Sequence, residues 1–137
     1  MLFRSVVTPY VQLTNERLKQ FAKAHGIDVV KLGTFDMLDM FDHAKILPEE
    51  IYDKVKELTT PDSEAVFVAC TQLRALEVLD MLERDLGKPV YSAVQASAWQ
   101  AYAAMNVDPK IMNCGSLLRK LSEPEAQKAA AKLLHSA

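Results

Sequence analysis

The chain of 137 residues has the length of a single domain and is long enough to bury a hydrophobic core. Half of its residues are hydrophobic and 25% are charged, which are the proportions of an ordinary globular protein. The formal net charge of −2 gives no electrostatic basis for binding nucleic acid or an anionic membrane surface, so neither is expected as a partner.

No apolar run approaches the roughly 20 residues that a membrane-spanning helix needs, and the first residues lack the layout of a signal peptide. The two cysteines, Cys70 and Cys114, lie too far apart in the sequence to suggest a disulfide framework. A cytoplasmic location is therefore predicted. The three histidines have no metal-ligand spacing, and we expect no metal.

A short apolar run at residues 2–7 predicts the first strand, and Thr8-Pro9-Tyr10 ends it because proline cannot continue a central strand. Thr14 or Asn15 could cap the helix that follows, since both side chains accept hydrogen bonds from backbone N–H groups. The segment at 27–33 alternates and ends on glycine, which predicts a second strand. The inner face of the intervening helix is predicted to contain Leu18, Phe21 and Ala22.

Residues 34–47 are the least clear part of the chain. Asp36, Asp39 and Asp42 stand among apolar residues, and the segment is either a helical turn over the sheet edge or a loop at the site. We expect the aspartates to form a solvated face, because three like charges repel one another in a single pocket. Pro48-Glu49-Glu50 then begins a helix, with proline in the first turn and acids near the positive end of the dipole.

The central feature of the sequence is a cysteine at the end of a buried strand. Residues 65–69 form an unbroken apolar run, which is typical of a strand covered on both faces. Leucines from Leu73 onward recur at helical spacing up to Gly87, so a helix is predicted to begin directly after Cys70-Thr71. Ligands bind at the carboxyl ends of strands in open α/β sheets, and a helix start there favours anions and thiolates. Cys70 is therefore the candidate reactive residue.

The remaining segments predict a fourth strand at 90–92 and helices at 95–105 and 116–121. Ser122 and Glu125 have the spacing of a capping box and predict a last helix that runs to the C-terminus. Strands alternate with helices four times, which predicts a three-layer, flavodoxin-like α/β lobe with a four-stranded parallel sheet and extra C-terminal helices. We divide the chain into this lobe, residues 1–105, and a C-terminal part, residues 106–137, that packs on the lobe or on a partner.

Three motifs together resemble one family pattern: Thr8-Pro9-Tyr10, the strand end from Val68 to Arg74, and Gly87-Lys88-Pro89-Val90 followed by residues 95–99. The pattern resembles the second lobe of the aspartate/glutamate racemase superfamily, in its maleate cis–trans isomerase and arylmalonate decarboxylase branch. The resemblance covers roughly residues 2–119. It implies two similar α/β lobes with the active site in the cleft between them, and only the second lobe is recognisable in this sequence.

The resemblance also implies site residues. Cys70 corresponds to the catalytic cysteine of the second lobe, and Tyr10 to a substrate-contacting tyrosine. Thr71 and the N–H groups beside it correspond to a carboxylate pocket. Apart from the resemblance, Gln72 and Arg74 are candidates to contact a substrate carboxylate, although helix residues at these positions more often face solvent. The isomerases of the family often carry an Asp-Asn pair in the middle segment, where this chain has Asp39-Met40.

The function that the resemblance implies is cofactor-independent isomerase or racemase chemistry on a small dicarboxylate, such as maleate, or on an amino acid. The alternatives are a non-catalytic half-lobe, a subunit that binds a carboxylate without converting it, and an unrelated flavodoxin-like domain, although no glycine cluster suggests a phosphate site. Because a single lobe would expose apolar residues such as Met37, Phe41 and Trp99, we expect a homodimer or a complex with a separate first-lobe chain.

Overall fold

A computed structural model describes residues 2–120 of the chain. Two segments form 3₁₀ helices, at Met40–Lys45 and Ala75–Glu77. The strands and α-helices are, in chain order, β1 (Leu2–Thr8), α1 (Gln12–Ala24), β2 (Ile27–Thr34), α2 (Pro48–Leu58), β3 (Ala65–Val68), α3 (Leu79–Leu86), β4 (Val90–Ser92), α4 (Ala93–Ala104) and α5 (Ser116–Arg119).

The four strands form one parallel sheet in the order β2-β1-β3-β4. Each strand is followed by helical segments that return the chain to the same end of the sheet, which is the usual way of joining parallel strands. Helices α2 and α3 cover one face, and α1 packs against the other. The structure thus confirms the predicted three-layer α/β fold with a four-stranded parallel sheet.

The main core lies between the sheet and the pair α2 and α3. At residue 33 the sheet and α2 approach so closely that a Cβ there would lie 2.0 Å from Leu58 Cδ1, which explains the glycine at the end of β2. Burial of this apolar surface is the principal stabilising contribution to the fold. The largest fully buried apolar side chains include Val7, Ile51, Val55, Val66, Val68, Leu73, Leu79, Leu82 and Val90.

The structure corrects two predictions about α1. The helix begins at Gln12, so Thr14 and Asn15 lie inside it and do not cap it. Asn15 is instead buried, with its side-chain amide hydrogen-bonded to the loop after β1. Phe21 shares a face of the helix with Leu18 and Ala22 as predicted, but it is 68% exposed, and its ring packs against that of His25 with ring centroids 4.2 Å apart.

The segment after Cys70 also differs from its prediction. A turn at residues 71–73 and the 3₁₀ helix Ala75–Glu77 precede α3, which begins only at Leu79. The helix dipole therefore does not act at Cys70, because its effect falls off within the first turn of a helix. The segment at 34–47, for which two forms were open, contains the 3₁₀ helix Met40–Lys45, and that helix lies at the candidate site.

Helix α5 is held against α3 by polar contacts of Asp80 and Glu83. The helix predicted after Ser122 lies outside the described residues, and the division at residue 105 stays a prediction. None of the helices within residues 2–120 is long and apolar enough to cross a membrane.

Candidate active site

A cleft of about 490 Å³ lies at the carboxyl ends of β1 and β3, which are neighbours in the sheet. The loop after β1, the first 3₁₀ helix, the turn after β3 and the start of α4 all contribute to its wall. Because parallel strands bring their carboxyl ends to one edge, residues distant in sequence meet there. The lining residues are Tyr10, Met40, His43, Cys70, Thr71, Gln72 and Ala93.

Cys70 stands two residues beyond β3 in a left-handed backbone conformation, with φ 82°. The Ala69 N–H donates to Val7 O at 2.9 Å, so the chain is tied to β1 immediately before the cysteine. Non-glycine residues with positive φ are uncommon and cluster at functional sites. The thiol is free and partly exposed.

The turn after Cys70 contains backbone donors beside the cleft. Within residues 2–120, the N–H groups of Thr71 and Gln72 have no hydrogen-bond acceptor. Both residues are exposed, and both line the cleft. Successive unpaired N–H groups in a turn form a concavity that suits an anion such as a carboxylate.

The loop that carries Tyr10 is fixed by hydrogen bonds from three sides. The Tyr10 N–H donates to Thr8 Oγ1 at 3.2 Å, and Tyr10 O accepts from Asn15 Nδ2 at 2.8 Å and from Thr34 Oγ1. Thr8 Oγ1 in turn donates to Asn15 Oδ1 at 2.6 Å. These bonds determine the position of the Tyr10 backbone and therefore the side from which its ring enters the cleft.

The phenol of Tyr10 remains protonated far into alkaline conditions. Burial, followed by the charge of the neighbouring Cys70 and a hydrogen bond to it, raises the pKa of Tyr10 to about 12. All three causes disfavour the tyrosinate, because burial penalises any charge, a thiolate repels a second anion, and the hydrogen bond favours the protonated phenol. Tyr10 is thus a hydrogen-bond donor directed at the space beside the thiol.

The first 3₁₀ helix places an imidazole next to the thiol. Asp39 Oδ1 accepts from the Phe41 N–H at 2.9 Å and caps the helix. His43, three residues into it, is only 6% exposed. Its Nδ1 lies 3.7 Å from Cys70 Sγ, and its ring meets that of Tyr10 edge-on at a centroid distance of 6.0 Å.

All four residues predicted for the site, Cys70, Tyr10, Thr71 and Gln72, line this one cleft. Arg74 does not, because its guanidinium pairs with Glu77 through contacts of 2.8 and 3.1 Å. The other cysteine lies near α3, where burial and then the negative charge of Asp80 raise its pKa.

His43 was not predicted from the sequence. It is 27 residues from Cys70, and no short motif joins the two. One signal was present in the spacing of Met40, His43 and Ile46, since residues three apart share a face of a 3₁₀ helix. His43 and Ile46 are both buried, so this face turns inward after Met40, which is 58% exposed.

Comparison with known proteins places this chain in a family. The model of the arylmalonate decarboxylase family matches residues 4–118. The maleate isomerase of Alcaligenes faecalis is 27% identical over 115 residues, which are 83% of this chain and 46% of that protein. The chain spans about half the length of the curated relatives that it matches.

Two solved structures show the same lobe. The maleate isomerase Iso from Pseudomonas putida S16 superposes with a TM-score of 0.81 at 27% identity, covering 87% of this chain and 48% of that chain. A mutant of the Nocardia farcinica maleate cis–trans isomerase with a covalently bound succinylcysteine intermediate gives a TM-score of 0.82 at 22% identity. The match covers 87% of this chain and 49% of that chain. With its four-stranded parallel lobe and the family match over residues 4–118, the chain belongs to the arylmalonate decarboxylase family of the aspartate/glutamate racemase superfamily.

Proposed function

We propose that the chain contributes one half of a cofactor-independent isomerase site that acts on a small dicarboxylate of the maleate type. The observation that carries this proposal is the convergence of a thiol, a neutral phenol and unpaired backbone N–H groups on one cleft. Curated relatives that match most of this chain are maleate isomerases, which supports the substrate class.

The chemistry needs a reversible way to turn the double bond of maleate into a single bond. A thiolate adds to one alkene carbon, so that a C–S bond forms while the π electron pair moves onto the neighbouring carbon and its carboxylate. A thiol on the opposite face protonates that carbon, rotation about the C–C bond follows, and removal of the proton expels the sulfur as fumarate forms. We assign Cys70 as one of these two thiols. The covalent succinylcysteine of the Nocardia farcinica enzyme is an intermediate of this kind.

The substrate carboxylate is proposed to bind at the turn after β3. The N–H groups of Thr71 and Gln72 face negative charge there, and that charge increases as the enediolate develops. Gln72 and the Thr71 hydroxyl add side-chain donors at the same rim. The Tyr10 phenol, which stays protonated to about pH 12, donates from the side of β1.

A complete site needs the opposite face of the substrate to be covered. We propose that a second copy of this chain or a separate first-lobe chain supplies it, since the matched relatives have about twice the matched length. In a two-fold dimer, two copies of Cys70 could face each other across one cleft. That arrangement works only if the two sulfurs lie within the span of a small dicarboxylate.

Binding can be tested before turnover. Because only half of the cleft is present, we expect a Kd for maleate or malonate no lower than about 1 mM, which is a binding free energy of about −4 kcal/mol. NMR titration should shift the amides of residues 70–73 first, and Tyr10→Phe should weaken the binding while leaving the same amides affected. Shifts confined to other surfaces, or none at tens of millimolar, would remove the site.

Turnover separates the enzyme from a subunit that only binds. Conversion of maleate to fumarate, followed by ¹H NMR, should require Cys70 and disappear in Cys70→Ser. Cys114→Ser is the matched control, because Cys114 lies outside the cleft lining. Binding without conversion, with or without a first-lobe chain, would leave a carboxylate-binding subunit as the function.

A further inference from the structure

We propose that His43 is the proton acceptor for Cys70, so that the two residues act as a thiol–imidazole pair. The inference deepens the proposed function. It rests on that function only where it says what the enzyme uses the thiol for. Three observations support it. The imidazole is anchored by a backbone carbonyl, it lies close to the sulfur, and it shares a face of the 3₁₀ helix with Met40.

The hydrogen bond at the far side of the ring determines which nitrogen faces the thiol. His43 Nε2 lies 3.3 Å from Met37 O, and a carbonyl oxygen can only accept. Nε2 therefore bears the proton in the neutral ring, and Nδ1 presents its lone pair to Cys70 Sγ at 3.7 Å. Fixing one nitrogen by a backbone carbonyl is a common way to orient a functional imidazole.

The anchor itself is held firmly. The Met37 N–H donates to Pro9 O at 2.8 Å, next to Tyr10, and the ring of His43 is nearly fully buried. Reorienting the imidazole would break the bond to Met37 O and expose a buried cavity. The nitrogen that faces sulfur is thus set by the fold.

The position of His43 relates to the departure from the family pattern. The resemblance implies an asparagine where this chain has Met40, so that position has no polar group to offer. Residues three apart lie above one another on a 3₁₀ helix, and His43 is three residues after Met40. Both side chains line the cleft, so the histidine returns a polar group to the same wall.

The charged and titratable groups around His43 favour proton exchange between its imidazole and the Cys70 thiol. His43 contacts two titratable side chains, Cys70 and Tyr10, and Tyr10 remains neutral at physiological pH. On its own helix, Asp42 pairs with Lys45 through a 2.5 Å contact in an exposed position, and Asp39 caps the Phe41 N–H. Neither carboxylate forms a hydrogen bond or ion pair with the imidazole.

The step is a single proton transfer. The S–H bond of Cys70 breaks, its electron pair remains on sulfur, and the proton forms an N–H bond at His43 Nδ1. The products are a thiolate and an imidazolium, which attract each other across the 3.7 Å contact. The reverse transfer restores the thiol, so the same pair serves a sulfur that attacks carbon or one that exchanges a proton with it.

Iodoacetamide alkylation, measured for each cysteine by peptide mass spectrometry across pH, tests the proposal. At pH 7 we expect Cys70 to react about tenfold more slowly in His43→Gln and in His43→Asn than in the wild type. Gln can still donate to Met37 O, and Asn keeps an amide atom near the place of Nδ1, so both variants fill the site without an imidazole.

Cys114 is the internal control, because it has no histidine partner among residues 2–120 and its rate should be unchanged by either substitution. Circular dichroism melts confirm that the variants are folded. Iodoacetamide carries no carboxylate, so the result is independent of whether the chain binds or converts dicarboxylates. Rates for Cys70 within about twofold of the wild type in both variants would overturn the proposal.

If neither variant folds, a measurement on the wild-type chain tests the proposal instead. Long-range ¹H–¹⁵N spectra distinguish the protonated nitrogen of each histidine. We expect a neutral His43 ring with its proton on Nε2 at alkaline pH, and protonation at Nδ1 as the pH falls. A neutral ring protonated on Nδ1 would overturn the proposal, because that nitrogen could then accept nothing from sulfur.

Discussion

Tyr10 meets the thiol as a neutral donor because burial and the neighbouring Cys70 raise its pKa to about 12 from the usual 10.0. In the unfolded chain the phenol ionises around its usual pKa, while the folded chain still holds the proton. Between about pH 10 and 12 the unfolded state therefore binds fewer protons, and stability falls as pH rises. Below that window the contribution of Tyr10 is fully present.

We predict that the tyrosinate absorbance near 295 nm will rise in two stages, with one of the 4 tyrosines delayed to about pH 12. Tyr10→Phe should remove the late stage. Cys70→Ala should lower its midpoint only in part, because burial is the larger cause. Simultaneous ionisation of all tyrosines in the folded wild type would contradict the prediction.

The residues that the sequence could identify were those at strand ends. Tyr10 follows a proline that must end β1, and Cys70 follows an apolar run that must be buried, so the parallel topology brings them to one edge. His43 was not identified because its role depends on the folding of a segment whose apolar residues show no clear helical or strand period. Phe21 was misplaced because helical spacing identifies a face but does not show how much of that face the neighbouring layer covers.

At the scale of single elements, the Glu83 carboxylate of α3 contacts both β4 and α5. Glu83 accepts from the Val90 N–H at 3.1 Å, from the Ser116 N–H at 2.8 Å and from Ser116 Oγ at 2.7 Å, and Arg119 Nη2 lies 3.5 Å away. The side chain is 10% exposed. Removing it leaves several donors without an acceptor in a poorly hydrated place.

We predict that Glu83→Ala lowers the free energy of unfolding by about 2–4 kcal/mol in urea denaturation. Glu77→Ala is the matched control, since Glu77 pairs with Arg74 at the surface and its loss should cost less than about 1 kcal/mol. Equal losses in the two variants would mean that Glu83 contributes no more than a surface ion pair.

The region from Leu73 to Leu79 shows the limit of periodicity as a guide to elements. Leu73, Val78 and Leu79 are buried and Leu76 is partly buried against the core, so the apolar pattern identified an inward face. A turn and a 3₁₀ helix can bury residues at nearly the same spacing as an α-helix. The start of α3 was therefore predicted several residues too early, whereas its end at Gly87 was predicted correctly.

At the scale of the whole molecule, the cleft is flanked by an exposed apolar rim. Met40 lines the cleft and is 58% exposed, and the side chains beside it in sequence, Leu38 and Phe41, are 88% and 75% exposed. Clustered apolar side chains of this kind mark an interface more often than a free surface. The rim is formed by the same segment that supplies His43.

We predict that the chain self-associates at micromolar concentration or binds a first-lobe chain through this rim. Light scattering gives the mass, and Phe41→Glu should shift it towards the monomer without unfolding the protein, because Phe41 is outside the core. Lys31→Glu, a charge change on β2, is the control. A wild-type chain that is monomeric and does not bind a first-lobe chain would contradict the prediction.

The fold as a whole was predictable because the local apolar patterns and the order of the predicted elements indicate the same architecture. Apolar runs of strand length alternate with amphipathic helices, and that alternation leads to a parallel sheet covered on both faces. The placement of β1 between β2 and β3 depends on long-range pairing, for example Arg4 with Val29 on one side and with Ala65 on the other. Local patterns do not contain that information.

The left-handed backbone at Cys70 has an evolutionary consequence. L-amino acids are disfavoured at φ 82°, while glycine adopts it freely, so a change to glycine here would relieve backbone strain of about 1 kcal/mol. A lineage released from selection on its chemistry would therefore be expected to accumulate glycine at this position. Retention of cysteine among descendants would record continued use of the sulfur, and its replacement by glycine would mark the branch in which the activity was abandoned.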